Sequence, residues 1–192
     1  MDDATVVARQ LGRHPRAFRR VVARCPFGRP AVTEQEPYDR DGEPFPTTYY
    51  LTCPQLVAAI ARIEAAGGVE RWSAAAHKDP ELRESLTEAT EEQRAVRLEL
   101  AGERSGRDDG ASLRLGIGGS GSPDHLKCLH AHAAFALARP GYVLGERILA
   151  EVDPLWPLDR CCSDGMVDAR EIADSGARAG RSGARRESDG KA

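Results

Sequence analysis

The stretch that most constrains the fold is Thr47-Thr48-Tyr49-Tyr50-Leu51-Thr52, followed at once by Cys53-Pro54. β-Branched and aromatic residues at that density favour an extended strand. Proline lacks an amide hydrogen and holds φ near the helical value, so Pro54 ends the strand and suits the first turn of a helix. Leu56, Val57, Ile60, Ile63 and Glu64 then recur at helical spacing until Gly67-Gly68 closes the segment. A strand running straight into an amphipathic helix calls for a mixed architecture. It also sets Cys53 at the junction, near the positive end of the helix dipole, where a thiol loses its proton more readily.

Other punctuation extends the same pattern. Residues 4–11 read as a short helix stopped by Gly12 and Pro15. Phe18 to Ala23 and Pro30 to Thr33 read as two short strands around a Cys25-Pro26-Phe27-Gly28 turn, and Glu34 to Pro46 as a proline-rich loop. Val69 to His77 fits a short helix. Asp79-Pro80 begins a longer one, to about Leu100, rich in glutamate, poor in bulky apolar residues and therefore expected at the surface. Its Glu88, Glu91, Glu92 and Glu99 alternate with Arg83, Arg94 and Arg97, the pattern of a solvated ion-paired face rather than of paired catalytic carboxylates. After a glycine-rich connection from Gly102 to Gly121, Ser122-Pro123-Asp124 is placed to start a helix running to about Ala138, which Arg139-Pro140-Gly141 stops. Tyr142 to Val152 forms a last short helical or strand-helix piece. The expectation is one α+β domain over residues 1–158, with a small antiparallel or mixed sheet packed against several helices. A polar C-terminal tail over 159–192, dominated by Gly, Ser, Arg, Asp and Ala, is expected to be disordered.

Composition narrows the function. A chain of 192 residues can bury one ordinary core, and no run of roughly 18 apolar residues is available to span a membrane. Met1-Asp2-Asp3-Ala4 is acidic where a secretory signal would be basic and then apolar, so a cytoplasmic protein is expected. Five cysteines is an odd number without a regular framework, and a reducing cytosol keeps them as thiols. Cys161 and Cys162, at the edge of the tail, read as incidental. The net charge of −3 disfavours nucleic acid as a partner. Arg9, Arg13, Arg16, Arg19, Arg20 and Arg24 make the first segment basic, but without interleaved aromatic residues for base stacking they read first as a solvated face.

Metal-type chemistry is concentrated in Lys127-Cys128-Leu129-His130-Ala131-His132, where a thiol and two imidazoles fall within five residues. At about 100° per residue, a regular helix sets Cys128 and His132 on one face and turns His130 toward the leucine face of Leu126, Leu129 and Leu137. In an extended segment Cys128 and His130 share a face with His132. With Cys25 and Cys53, a closed four-ligand zinc site drawn from Cys25, Cys53, Cys128 and one of His130 and His132 can be written; three protein ligands instead would leave a position for water and hydrolysis. Plain buried thiols remain an alternative, as does a reactive pair with Cys128 or Cys53 as nucleophile and His132 or His130 as base. Gly116-Ile117-Gly118-Gly119-Ser120-Gly121 matches a dinucleotide fingerprint formally, but it lacks the strand-helix-strand context, so no nucleotide cofactor is expected. Backbone amides of Gly118, Gly119 and Gly121, with Lys127 and a following helix N-terminus, could instead hold a small anion.

Four blocks together resemble a known family: Arg24-Cys-Pro-Phe-Gly-Arg-Pro-Ala-Val32, Gly42-Glu-Pro-Phe-Pro-Thr-Thr-Tyr-Tyr-Leu-Thr-Cys-Pro54, Arg62-Ile-Glu-Ala-Ala-Gly67 and Lys127-Cys-Leu-His-Ala-His132. On them the chain is identified as a member of the bacterial domain of unknown function 501 family, over roughly residues 5–150. The resemblance implies no particular activity. The family pattern often carries a further histidine where this chain has Phe135, and its Asn-Pro-apolar-Gly turn is here Arg139-Pro-Gly-Tyr-Val-Leu-Gly145. The functional expectation is therefore a cytosolic protein with a Cys/His metal site, zinc being the natural ion, more structural than catalytic. The alternative is a metal-free interaction module that binds an anionic partner, a small anion or a protein, through the Arg-rich segment and the glycine loop.

Overall fold

The computed structural model describes residues 2–122 and 125–164. Helix α1 (Asp3–Leu11) opens where the Asp2 carboxylate accepts the Thr5 amide, and closes at Gly12 in the left-handed region. Strands β1 (Phe18–Arg24) and β2 (Pro30–Gln35) form an antiparallel hairpin across the Cys-Pro-Phe-Gly turn. There the Cys25 amide donates to Arg29 O at 2.9 Å, and Gly28 takes a φ of +76° that a side chain would resist. Strand β3 (Tyr49–Leu51) adds antiparallel to β2, pairing Val32 with Leu51, Thr33 with Tyr50 and Glu34 with Tyr49. The sheet order is β1-β2-β3, and all six residues of the middle strand are buried.

Helices follow as a consecutive run. Helix α2 (Pro54–Ala65) starts at Pro54 as its sequence predicts and buries Leu56, Ala59 and Ile60. Helix α3 (Gly68–Lys78) leads into α4 (Pro80–Ala101), where the Asp79 carboxylate caps the first turn through the Glu81 amide. Glu88, Glu91, Glu92 and Glu99 are exposed, but α4 is not a surface helix throughout. A stripe of Leu82, Ser85, Leu86, Ala89, Thr90, Gln93, Arg97 and Ala101 is buried, at the 3-4-3 spacing of a packed face. Small and polar side chains hide that face from a count of bulky apolar residues. Arg97, expected on the solvated face, is fully buried and donates from Nη1 to Phe45 O at 2.9 Å.

The connection after α4 contains two short 3-10 turns, Ala111–Arg114 and Ile117–Gly119. Helix α5 (Leu129–Ala138) then begins later than expected from Ser122; Pro123 and Asp124 of that expected start lie outside the described residues. Side chains compete for the backbone groups before it: the Leu126 amide donates to Ser73 Oγ at 3.1 Å, and Ser120 Oγ lies 2.9 Å from the carbonyls of Ser122 and His125. Most of α5 is buried, and its alanines allow the sheet, α2 and α6 (Val143–Leu149) to approach closely. Phe135, in the position of the further family histidine, packs edge-on against both Tyr49 and Tyr142 with ring centroids 5.4 Å away. It serves the core.

The architecture is thus α+β, six helices around a three-stranded antiparallel sheet among the described residues, with α5 at the centre. No described helix is long and apolar enough to cross a membrane. Of the tail expected over 159–192, residues from 165 onward lie outside the described residues. Cys161, expected to be incidental, is buried.

Candidate metal centre

Helices α2 and α5 meet where the last turn of α2 reaches the first turn of α5. Glu64 and Val57 lie seven residues apart, so they share one face of α2 two turns apart. Glu64 Oε1 accepts the Leu129 amide at 2.6 Å and so caps the start of α5 from another element. Cys128 occupies the cap position with extended backbone, φ −159° and ψ 118°. Its side chain is therefore not placed by the helical wheel. It turns to His130, with Sγ 3.7 Å from Nδ1, and Glu64 Oε1 stands 3.2 Å from the same nitrogen. Among the described residues, Glu64, Cys128 and His130 are the one group of three metal-ligating side chains whose donor atoms all lie within 4.8 Å of one another.

The tautomer of His130 follows from its other nitrogen. Nε2 lies 3.0 Å from Val57 O, and a carbonyl can only accept, so Nε2 carries the hydrogen. Nδ1 then faces a sulfur and a carboxylate, which both offer electron pairs. Either a proton or a metal ion must stand between them. Burial opposes a charged ring, but Cys128, the Glu64 carboxylate and the Val57 carbonyl outweigh it and lift the imidazole to about 9 in the metal-free chain. Both hydrogen-bond partners on the acceptor side use Nδ1, so the group is not a Cys-His-Glu relay, which needs thiol and carboxylate on opposite ring nitrogens.

A cavity of about 330 Å³ opens beside the group. Leu51, Val57, Gly118 and Ala131 line it with Thr47, Tyr49, Tyr50, Cys128 and His130, so its wall is mainly apolar and aromatic, with the thiol and the imidazole at one side. Gly118 has a φ of +68°, and a Cβ there would come within 3.2 Å of Ala131 Cβ, so glycine permits this close approach of the loop to α5.

Other residues singled out by sequence lie elsewhere. Cys25 and Cys53 do not join Cys128: Cys25 Sγ is 3.9 Å from Cys161 Sγ, and Cys53 Sγ is 3.5 Å from Cys162 Sγ. The three cysteines therefore do not converge, and the donor atoms that lie together are those of one cysteine, one histidine and one glutamate. Burial raises the Cys53 thiol to about 12, overriding the helix-dipole effect expected at its junction. His132 is fully enclosed, with Nδ1 2.7 Å from the Tyr142 hydroxyl, and burial pushes its imidazole down to about 3. It belongs to the core, and His130 to the site, the reverse of the helical-wheel reading.

Part of the glycine loop closes on itself. Gly116, Gly119 and Ser120 amides donate to loop carbonyls, Lys127 Nζ lies 3.5 Å from Gly119 O, and the first amide of α5 goes to Glu64. Gly121 has no neighbour within 4 Å of a built Cβ. In the basic segment Arg19 and Arg20 belong to β1 and pair with buried Glu34, Arg24 pairs with Asp3, and Arg16 with Asp39. Glu64 was missed as a member of this group, although its place at helical spacing on the apolar stripe of α2 was the available signal.

A family model described as "Protein of unknown function (DUF501)" matches residues 21–150. The chain belongs to that family. The matched span contains β2, β3, all of α2 to α5 and the Glu64, Cys128 and His130 group. No curated protein and no solved structure matches the chain.

Proposed function

We propose that this protein binds one zinc ion through Glu64, Cys128 and His130, with a fourth position open to the adjoining cavity. The observation that carries this reading is the commitment of His130 Nε2 to the Val57 carbonyl. It turns Nδ1 toward Cys128 and Glu64, where zinc would take the place of the proton, and a backbone carbonyl holding the outer nitrogen is the usual support behind a ligating histidine. A thiolate, an imidazole and a carboxylate form a mixed donor set that suits zinc better than the oxygen-seeking magnesium or calcium. The ion would tie the end of α2 to the start of α5. Three protein ligands leave one exchangeable position, where a water molecule would be acidified toward neutrality and could hydrolyse a substrate seated in the cavity. A thiolate ligand also fits a reducing compartment, in keeping with a cytoplasmic protein.

Metal analysis of the full chain, purified under reducing conditions, tests the reading. About one zinc per chain is expected, falling below about a tenth in Cys128→Ser and His130→Ala. A folded wild-type chain that takes up no zinc during titration would sink it. His130→Gln provides a second arm, because it keeps a donor to Val57 but removes the imidazole ligand.

A further inference from the structure

Four of the five cysteines lie outside the Glu64, Cys128 and His130 group, and they meet in two pairs. Cys25, in the turn between β1 and β2, lies 3.9 Å from Cys161; Cys53, at the start of α2, lies 3.5 Å from Cys162. The partners on the C-terminal side are adjacent residues, yet each reaches a different element. After α6 no described residue is in a helix or strand; a bidentate Arg71–Glu151 pair at 2.6–2.7 Å ties its beginning, and the stretch around Cys161 and Cys162 is held by Gln10 Nε2 to Ser163 Oγ at 3.0 Å and Arg29 to Asp164 at 3.5 Å. Adjacent cysteines are poor partners for each other, since their Cα atoms are about 3.8 Å apart and ordinary disulfides need about 4.4–6.8 Å. Their natural partners must come from elsewhere in the fold, and here each has one.

We propose that Cys25–Cys161 and Cys53–Cys162 are two disulfide-forming sites that, on oxidation, fasten the C-terminal segment to the β1–β2 turn and to the start of α2, leaving Cys128 as the only free thiol. Each sulfur pair needs to close by less than 2 Å to reach bonding distance, a movement that side-chain rotation supplies. The co-reactant is a small-molecule disulfide. The partly exposed Cys162 attacks it as thiolate, forming a mixed disulfide and expelling one thiolate leaving group. Cys53 then gives its proton to water and attacks the Cys162 sulfur, expelling the second thiolate. Two protein thiols are oxidised by two electrons, and one small disulfide is reduced to two thiols. Cys161, which is buried in the folded chain, makes the same two displacements with Cys25 once local opening of the C-terminal segment exposes it to the reagent. Burial holds the Cys53 and Cys25 thiols protonated, so they are resolving partners rather than first attackers. The bridges would close loops of 109 and 136 residues, which is where cross-links constrain the unfolded chain most.

The test treats the reduced full chain with oxidised glutathione and reads free thiols, peptide maps and melting. Titratable thiols should fall from five to one, with Cys25–Cys161 and Cys53–Cys162 as the linked peptides and a rise in Tm of about 10 °C. Cys162→Ser should lose only the Cys53 bridge and keep Cys25–Cys161. Cys128→Ser should keep both, which separates this proposal from the zinc site. Retention of five thiols by a chain that stays folded, a Cys161–Cys162 link, or dimers cross-linked through Cys128 would each overturn it.

Discussion

A histidine acts as a ligand or as a packing residue according to what its two nitrogens already touch. His130 has one nitrogen held by Val57 O and the other facing Cys128 and Glu64; His132, two residues on, points into the core against Tyr142. Sequence named both histidines as candidates; its helical reading grouped Cys128 with His132 because it assumed helix at Cys128, whereas the extended backbone there turns the thiol to His130, as the extended alternative allowed. Glu64 does two tasks, capping α5 and facing the imidazole. Glu64→Gln keeps an acceptor for the Leu129 amide while removing the charge, so zinc affinity should fall at least about tenfold in a competition titration with a chromogenic chelator. The metal-free melt should barely move. Glu64→Ala should in addition lower metal-free stability by about 1 kcal/mol, through loss of the cap. Tyr142→Phe leaves the enclosed His132 Nδ1 without its hydrogen-bond partner and should cost about 1–3 kcal/mol in urea unfolding, with zinc binding unchanged.

At the scale of elements, β2 shows why ionic and apolar patterns must be read together. Glu34 is buried in the middle strand, where burial works against its charge, but hydrogen bonds from Arg20 and Arg19 more than offset this and hold the carboxyl below its ordinary value. A folded-state value below the unfolded one means that this contribution is present above the unfolded carboxyl range, near pH 4, and is lost as the pH falls through the folded value. Glu34→Gln should therefore flatten the acid limb of a stability-versus-pH curve below about pH 4 and cost about 1–2 kcal/mol at neutral pH, since both arginines are partly solvated. A variant with an unaltered acid limb would contradict the pairing. The basic N-terminal run was legible as charge but not as a strand edge holding a buried carboxylate. The start of α2 at Pro54 and the hairpin around Cys25 to Gly28 were legible, because proline and glycine act through local backbone geometry alone. The buried face of α4 was not, because Ser85, Thr90, Gln93 and Arg97 enter a core only when neighbours accept their polar atoms.

For the whole molecule, the site lies between two helices 65 residues apart in sequence and beside a sheet that closes its cavity. An ion there would bind the folded chain and not the unfolded one, so zinc at about a thousand times its Kd should add about 4 kcal/mol to stability. Differential scanning calorimetry with and without a strong chelator checks this. The same comparison in Cys128→Ser should show no metal-dependent shift. By itself the sequence determined the α+β class, the strand-to-helix junction at Cys53-Pro54, family membership and the segment from Cys128 to His132 as the place where donor atoms gather. All of these rest on local backbone preferences or on contiguous residues. Tertiary structure alone decided that Glu64 completes the group, that Cys25 and Cys53 meet Cys161 and Cys162, and that α5 starts at Leu129. The physical reason is that ligation, thiol pairing and helix capping each need atoms within about 4 Å, and only packing brings such distant parts of a chain that close.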